Sequence, residues 1–146
     1  MLRNWIFRRG PTSGAAAQPA SKTPGAAAED AALKHLQQHG LQLVQRNYKT
    51  PGRGGGEVDL IMREPDGTLV FVEVRQRSGI SQGGAAASID ARKQRRLVLA
   101  ARHFLLRLGT TPPCRFDAVL LEGRANSADL TRIEWLRAAF DVPQTF

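Results

Sequence analysis

The feature that most constrains this chain is a pair of alternating segments in residues 57–77, separated by a short turn signal. Each segment places apolar residues at every second position: Val58, Leu60 and Met62 before the turn, and Val70, Val72 and Val74 after it. Between them, Pro65-Asp66-Gly67 fits a three-residue hairpin loop, because proline pre-sets the first position and glycine supplies a positive φ at the third. The pattern therefore predicts two antiparallel strands.

The predicted hairpin brings two acidic residues together. If the loop closes as expected, Asp59 lies opposite Glu73 on one face of the sheet, with Cβ atoms about 5 Å apart. Like charges facing each other destabilise a hairpin, and a bound divalent cation would offset that repulsion. The alternative is a pair of solvent-facing carboxylates on an edge strand, one of them neutralised by Arg75 or Arg77. The residues alone leave both interpretations open.

Length and composition indicate one globular domain. The chain has 146 residues, of which 42% are hydrophobic and 23% charged, as in an ordinary soluble domain. It contains no apolar run long enough to cross a bilayer, and its start, MLRNWIFRRG, lacks the features of a secretory signal. Cys114 is the only cysteine, which excludes an internal disulfide and favours a reducing compartment. We therefore expect a cytoplasmic protein with no membrane partner.

The net charge of +8 favours a polyanionic partner, and its distribution indicates where that partner would bind. Residues 77–108 contain seven basic residues and a single acidic one, so positive charge concentrates directly after the hairpin. Four of these basic residues crowd the first half of a predicted helix: Arg92, Lys93, Arg95 and Arg96. They form either a phosphate-contacting face or an ordinary solvated face.

The glycine-rich segment KTPGRGGG, residues 49–56, is predicted to be a loop. It is not a phosphate-binding P-loop, because a strand and not a helix follows it. It would either bring backbone close to a ligand, with Lys49 and Arg53 as mobile cations, or serve as a plain flexible connector.

The remaining elements follow from hydrophobic periodicity. Residues 1–28 lack a packable apolar pattern and are predicted to form a disordered basic tail before a domain over 29–146. The domain's predicted elements are a helix over 29–39, a strand over 41–48, the hairpin strands, a long helix capped by Ser88, a strand over 114–121 and a last strand over 132–136. The third strand, long helix and fourth strand should form a right-handed parallel crossover. The expected fold class is α/β, a single mixed β-sheet flanked by helices.

This order, with acidic residues on the second and third strands, resembles the restriction-endonuclease-like αβββαβ core of the PD-(D/E)-x-K nuclease superfamily. It resembles more closely the YraN family of uncharacterised bacterial proteins. The motifs GEVDLI at 56–61 and VFVEV at 70–74 carry most of the resemblance. The other matching residues are Glu29, Arg46-Asn47, Lys93 with Leu97, and Arg115-Phe116-Asp117.

The resemblance implies a metal-dependent endonuclease that hydrolyses phosphodiester bonds in DNA, with branched DNA as one substrate. Asp59 and Glu73 would ligate Mg²⁺ or Mn²⁺, with Glu29 as a further acid, and the metal would activate water and neutralise phosphate charge. A homodimer is an open alternative to a monomer. The residues expected to contact nucleic acid are Arg53, Arg77, Arg92, Lys93, Arg95 and Arg96.

One position departs from the superfamily pattern. The third catalytic signature residue is lysine there and Arg75 here, on the same predicted sheet face as Glu73. Lysine can lose a proton, whereas arginine effectively cannot. Arg75 could position water, stabilise the transition state or pair with Glu57, but it could not act as a base. The alternative function is therefore a nucleic-acid-binding module that keeps the nuclease fold with little or no catalytic activity.

Overall fold

A computed structural model describes residues 24–77, 89–123 and 132–142 of the chain. Most of the predicted tail, residues 1–23, lies outside these ranges. Within them, the predicted element order is confirmed. The elements are α1 Pro24–Gln38, β1 Gln42–Lys49, β2 Glu57–Arg63, β3 Leu69–Arg77, α2 Ala91–Leu108, β4 Cys114–Glu122 and β5 Arg132–Leu136.

The five strands form one mixed sheet in the order β1-β2-β3-β4-β5. β3 and β4 pair in parallel on either side of α2 in the sequence, and the other neighbouring strands pair antiparallel. α1 and α2 pack over separate core clusters on opposite faces of the sheet. The predicted fold class, a single mixed sheet flanked by helices, is therefore confirmed. Neither helix in the described ranges is long and apolar enough to span a membrane.

The central strand β3 contributes to both cores. Leu69 and Phe71 pack in the α2-side cluster, whereas Val70 and Val72 pack in the α1-side cluster. Burial on both faces accounts for the nearly continuous apolar run at the start of this strand. Glu73 ends that run with only 7% of its surface exposed, so a carboxylate is held where the apolar core stops.

The hairpin between β2 and β3 forms in the predicted register. The Glu64 N–H donates to the Thr68 carbonyl at 2.9 Å, and Gly67 has a φ of 96°, as the third loop position requires. The strand pairing continues from this loop to Leu60 opposite Val72. In the same register, the next position places Asp59 opposite Glu73.

α1 begins at Pro24, earlier than the predicted start of this helix at Glu29. Ala27 and Ala28 lie inside this helix and are buried. Alanine has the best helix propensity, and proline is tolerated in a first helical turn. An alanine-rich stretch that resembles a low-complexity tail can therefore extend a helix where it packs on the sheet.

α2 is capped by Asp90, which corrects the prediction that Ser88 caps it; Ser88 lies outside the described residues. The Asp90 carboxylate accepts a hydrogen bond from the Lys93 N–H at 2.9 Å. This cap satisfies one of the free N–H groups of the first turn. It thereby fixes where α2 begins.

The glycine-rich loop approaches α2 closely at Gly56. A Cβ atom built on Gly56 would lie 2.5 Å from the backbone nitrogen of Ala100 and would also clash with the Arg96 carbonyl. The Gly56 N–H donates to the Thr50 hydroxyl at 2.7 Å, which holds the loop in place. The missing side chain at position 56 therefore allows β2 and α2 to approach each other.

Candidate active site

An acidic pocket of about 300 Å³ lies where the first turns of α1 and α2 meet β2 and β3. Among the residues that line it are four carboxylates and two cations: Glu29, Glu57, Asp59, Glu73, Arg75 and Lys93. The structure thus brings together every residue that the sequence assigned to metal binding or catalysis. It adds Glu57 and Lys93, which the sequence had not assigned to this site.

Asp59 lies one residue beyond the last paired position of β2 and β3, Leu60 opposite Val72. On β1, in register with it, Asn47 has a φ of 50°, in the left-handed region that asparagine tolerates better than most residues. The Asp59 carboxylate accepts a hydrogen bond from the Val74 N–H at 2.7 Å. A side-chain oxygen therefore takes up this β3 N–H, which holds the carboxylate at the pocket.

The pocket raises the pKa of Asp59 to about 7. Burial is the largest cause, and the negative charge of Glu73 is the next. The hydrogen bond from Val74 acts in the opposite direction, while Glu29 and Glu57 raise the pKa further. This surplus of negative charge is what a bound divalent cation would neutralise.

Lys93 pairs with Glu73 inside the acidic pocket. Its Nζ lies 3.3 Å from Oε2 of Glu73, whose side chain is only 10% exposed. Helical spacing explains the direction, because Lys93 shares a stripe with the buried residues Leu97 and Ala100 that faces the sheet. Lys93, which the sequence predicted to contact nucleic acid, therefore lies in the acidic pocket beside Glu73.

The two outer carboxylates have arginine partners. Glu29 pairs with Arg46 of β1 at 3.5 Å, which links two of the residues that carried the family resemblance. Glu57 pairs with Arg96 of α2 at 3.0 Å, rather than with Arg75 as the hairpin register had suggested. Both members of this second pair are about two-fifths exposed, so solvent screens their attraction. The inner pair of carboxylates is the better candidate for a metal.

The available donors fit a hard cation that keeps part of its water shell. Among the residues in the described ranges, no group of three or more His, Cys, Asp or Glu side chains forms a ready set of metal ligands. Mg²⁺ usually binds through one or two carboxylates, water and substrate phosphate, without a complete protein cage. Asp59 and Glu73 supply such a pair of oxygen ligands. They suit Mg²⁺ or Mn²⁺ and do not suit a closed structural site.

A second cavity, which we call the basic cleft, adjoins the acidic pocket at Glu57, a residue that lines both. It has a volume of about 970 Å³ and runs between the glycine-rich loop, α2 and residues 140–142. Two acidic residues line it, Glu57 and Asp141. The five cations that line it are Lys49, Arg92, Arg95, Arg96 and Arg102.

Four of the six residues predicted to contact nucleic acid line one of these two cavities. Three arginines of α2 line the basic cleft, and Lys93 lines the acidic pocket. Arg53, exposed in the glycine-rich loop, and Arg77, at the end of β3, line neither cavity. Sequence reasoning missed Arg102, although it lies seven residues after Arg95 and therefore on the same face of the helix.

Asp117, another residue of the resemblance, has a structural position. It is fully buried and accepts hydrogen bonds from Arg115 Nε, Trp135 Nε1 and the Ala138 N–H, each at 2.9 Å. Arg115 also pairs with Glu64 beside the hairpin loop. This network joins β4, β5 and the turn after β5, and none of its members lines the acidic pocket.

Comparison with known proteins gives consistent relatives over the folded part of the chain. The model of the uncharacterised protein family UPF0102 matches residues 28–121. A UPF0102 protein of Albidiferax ferrireducens is 64% identical over 122 residues, which cover 84% of this chain and 90% of that protein. A UPF0102 protein of Paracidovorax citrulli is 60% identical over 129 residues, which cover 88% of this chain and 90% of that protein.

Among solved structures, Pyrococcus furiosus SfsA in complex with Ca²⁺ matches with a TM-score of 0.36 and 16% identity. The match covers 82% of this chain and 64% of that chain. The residues matched by the family model include every residue that lines the acidic pocket except Gly25.

Proposed function

The chain belongs to the uncharacterised protein family UPF0102, and we propose that it is a metal-dependent endonuclease that hydrolyses phosphodiester bonds in DNA. The observation that carries this proposal is the convergence of Asp59, Glu73 and the Lys93 amine in one pocket beside a cleft lined by five cations. Phosphodiester hydrolysis requires metal-binding carboxylates, a group that handles protons, and positive charge that holds the polyanion.

Asp59 and Glu73 are the residues that would hold Mg²⁺ or Mn²⁺. When bound, the ion supplies an activated water and neutralises charge on the scissile phosphate. The Val74 N–H occupies Oδ2 of Asp59, which leaves Oδ1 as the oxygen available to a metal. Glu29, paired with Arg46, lies at the rim of the same pocket and adds negative charge there.

In this proposal, Lys93 supplies the amine that Arg75 cannot. It reaches the pocket from α2, whereas the corresponding lysine of the resembling nucleases would come from β3. Lysine can change its protonation state during a reaction, whereas arginine remains a cation with a planar fork of donors. Lys93 therefore suits proton transfer to or from water, and Arg75 suits holding a phosphate oxygen.

A cleavage assay tests this division of roles. Linear, flapped and four-way DNA is incubated with Mg²⁺ or Mn²⁺ and the wild-type protein or a variant. We expect wild-type cleavage, none by Asp59→Ala, and a loss of about 10²–10⁴-fold in Lys93→Ala, the usual contribution of acid–base catalysis. Lys34→Ala, a change to an exposed lysine on α1, is the matched control.

The double variant Arg75→Lys with Lys93→Ala distinguishes a lysine that transfers protons from a lysine that is only structural. If an amine in the pocket is required, Arg75→Lys should restore part of the activity that Lys93→Ala loses. If Lys93 only shields Glu73, the added lysine should restore the melting temperature without restoring cleavage, and the assigned role of Lys93 would be rejected.

The second candidate function is a nucleic-acid-binding module without cleavage. The Lys93–Glu73 ion pair favours it, because the ammonium competes with a metal for the same carboxylate. In that case wild type and Asp59→Ala should give the same background on every substrate and metal, while DNA binding persists.

A further inference from the structure

The basic cleft supports a more specific substrate assignment. We propose that it binds an unpaired strand of nucleic acid that continues from the acidic pocket. The inference deepens the proposed function and rests on it for the position of the scissile phosphate. The binding itself requires only the cleft.

The two cavities meet at one ion pair. Glu57 lines both of them, and its partner Arg96 lines the basic cleft. The Arg96 side chain also donates to the Gly55 carbonyl at 3.5 Å, so it lies between the glycine-rich loop and the acidic pocket. A strand whose phosphate lies beside Glu73 would enter the cleft at this point.

The cations on α2 are arranged for a row of phosphates. Arg92, Arg95, Leu99 and Arg102 recur at spacings of three and four residues, and therefore follow one side of the helix. The first and last of them are separated by about 15 Å along the helix axis at about 1.5 Å per residue. Successive phosphates of a stacked strand advance by about 3.4 Å, so the row spans about four of them.

The apolar wall of the cleft favours an unpaired strand over a duplex. Leu99 lies in the middle of the arginine row with 43% of its surface exposed, and it belongs to neither core cluster of the described residues. Val98, Phe140 and Val142 add further apolar lining. A duplex keeps its base faces inside its own stack, whereas an unpaired strand can lay bases against such a surface while cations hold its backbone.

The size of the cleft also suits an extended ligand. Its volume of about 970 Å³ lies at the upper end of the range of roughly 300–1,000 Å³ for pockets that hold one small molecule. Its five cations outnumber its two carboxylates, one of which is already paired with Arg96. Charge and size together therefore fit several linked nucleotides.

The test is fluorescence anisotropy with a labelled oligothymidine strand and with its duplex, in EDTA so that no cleavage occurs. Wild type should bind the single strand more tightly than the duplex. Leu99→Asp should weaken single-strand binding on the order of tenfold, because it removes apolar contact and adds a like charge to the phosphates. Leu106→Asp is the matched control, since Leu106 is 81% exposed on the same helix and outside the cleft.

A second pair of variants measures the charge contribution. Arg95→Ala should reduce the dependence of log K on log salt by about 0.7 for the single strand, the value for one phosphate contact. Arg107→Ala, on the same helix outside the cleft, should leave that slope unchanged. If Leu99→Asp lowers the melting temperature, the salt slopes of Arg95→Ala and Arg107→Ala alone decide whether the cleft binds the strand.

Tighter binding of the duplex, equal effects of the two leucine variants, or equal salt slopes of the two arginine variants would overturn the inference. Its failure can be distinguished from failure of the proposed function. Single-strand binding that depends on Leu99 in a protein that cuts no DNA would reject the nuclease and keep the cleft assignment. DNA cleavage that is unchanged in Leu99→Asp and Arg95→Ala would reject the cleft assignment and keep the nuclease.

Discussion

At the scale of single residues, Asp59 combines an unusual backbone setting with an unusual charge. It lies one residue beyond the end of the β2–β3 pairing, and its carboxylate accepts a hydrogen bond from the Val74 N–H. Burial and the neighbouring carboxylates raise its pKa to about 7, so a proton and a metal ion would compete for this group near neutral pH.

The raised pKa predicts how stability changes with pH. Folded Asp59 keeps its proton up to about pH 7, whereas the unfolded chain releases it near 3.8. Its contribution to the free energy of unfolding is therefore complete below the unfolded-state pKa of 3.8 and is lost as pH rises through the folded-state pKa of about 7. In metal-free denaturation experiments, Asp59→Asn should flatten this part of the pH profile. Glu134→Gln, on β5, should keep the wild-type slope, and an unchanged slope in Asp59→Asn would contradict the assignment.

The sequence was sufficient to predict the acidic pair but not its lysine neighbour. The register of the hairpin is fixed by its short loop, and this register places Asp59 opposite Glu73. The direction of Lys93 depends instead on how α2 is rotated against the sheet. That rotation is set by the tertiary contacts of Leu97 and Ala100. The sequence nevertheless contained a signal for it, because spacings of four and three residues place Lys93 on the same side of the helix as these two buried residues.

At the scale of elements, Gly56 determines how closely β2 and α2 approach. Gly56→Ala should destabilise the protein by about 1–3 kcal/mol, because the added methyl group overlaps the α2 backbone. Gly25→Ala is the matched control, since a Cβ there meets nothing within 4 Å and alanine should stabilise α1 by about 0.4–1 kcal/mol. Urea denaturation measures both changes. Equal effects of the two variants would show that the close approach is unimportant.

The network around Asp117 holds β4 to β5 and to the following turn. Asp117→Ala would leave the Arg115 guanidinium without its buried partner and remove three hydrogen-bond contacts. We expect a loss of about 3–5 kcal/mol in the free energy of unfolding. Glu134→Ala, which removes a more exposed pair with Arg132, should cost less than about 1 kcal/mol. A similar loss in both variants would contradict the structural role of Asp117.

The start of α1 could not be predicted from local pattern. In the sequence, residues 24–28 look like part of a low-complexity tail, but in the structure they start α1, with Ala27 and Ala28 buried. The hairpin and the long helix were predictable because of a local turn signal and hydrophobic periodicity, and the parallel crossover was predictable from the order of its elements. The division of the basic residues between two cavities was not, because it depends on how the loop, α2 and the chain near Phe140 come together.

At the scale of the whole molecule, the net charge of +8 conceals two adjoining surfaces of opposite character. Four carboxylates and two cations line the acidic pocket, and five cations and two carboxylates line the basic cleft. A polyanion held in the cleft would reach the pocket only if something offset the negative charge there. This arrangement is the physical reason for expecting a cation at Asp59 and Glu73.

The most direct test of that claim is an equilibrium titration that counts Mn²⁺ bound per chain at about pH 8. Wild type should bind Mn²⁺ with an affinity that falls as pH drops below about 7, because protons then occupy Asp59. Asp59→Asn should abolish this binding, and Glu134→Gln should leave it unchanged. If wild type binds no more Mn²⁺ than Asp59→Asn at any pH, the acidic pocket is not a metal site.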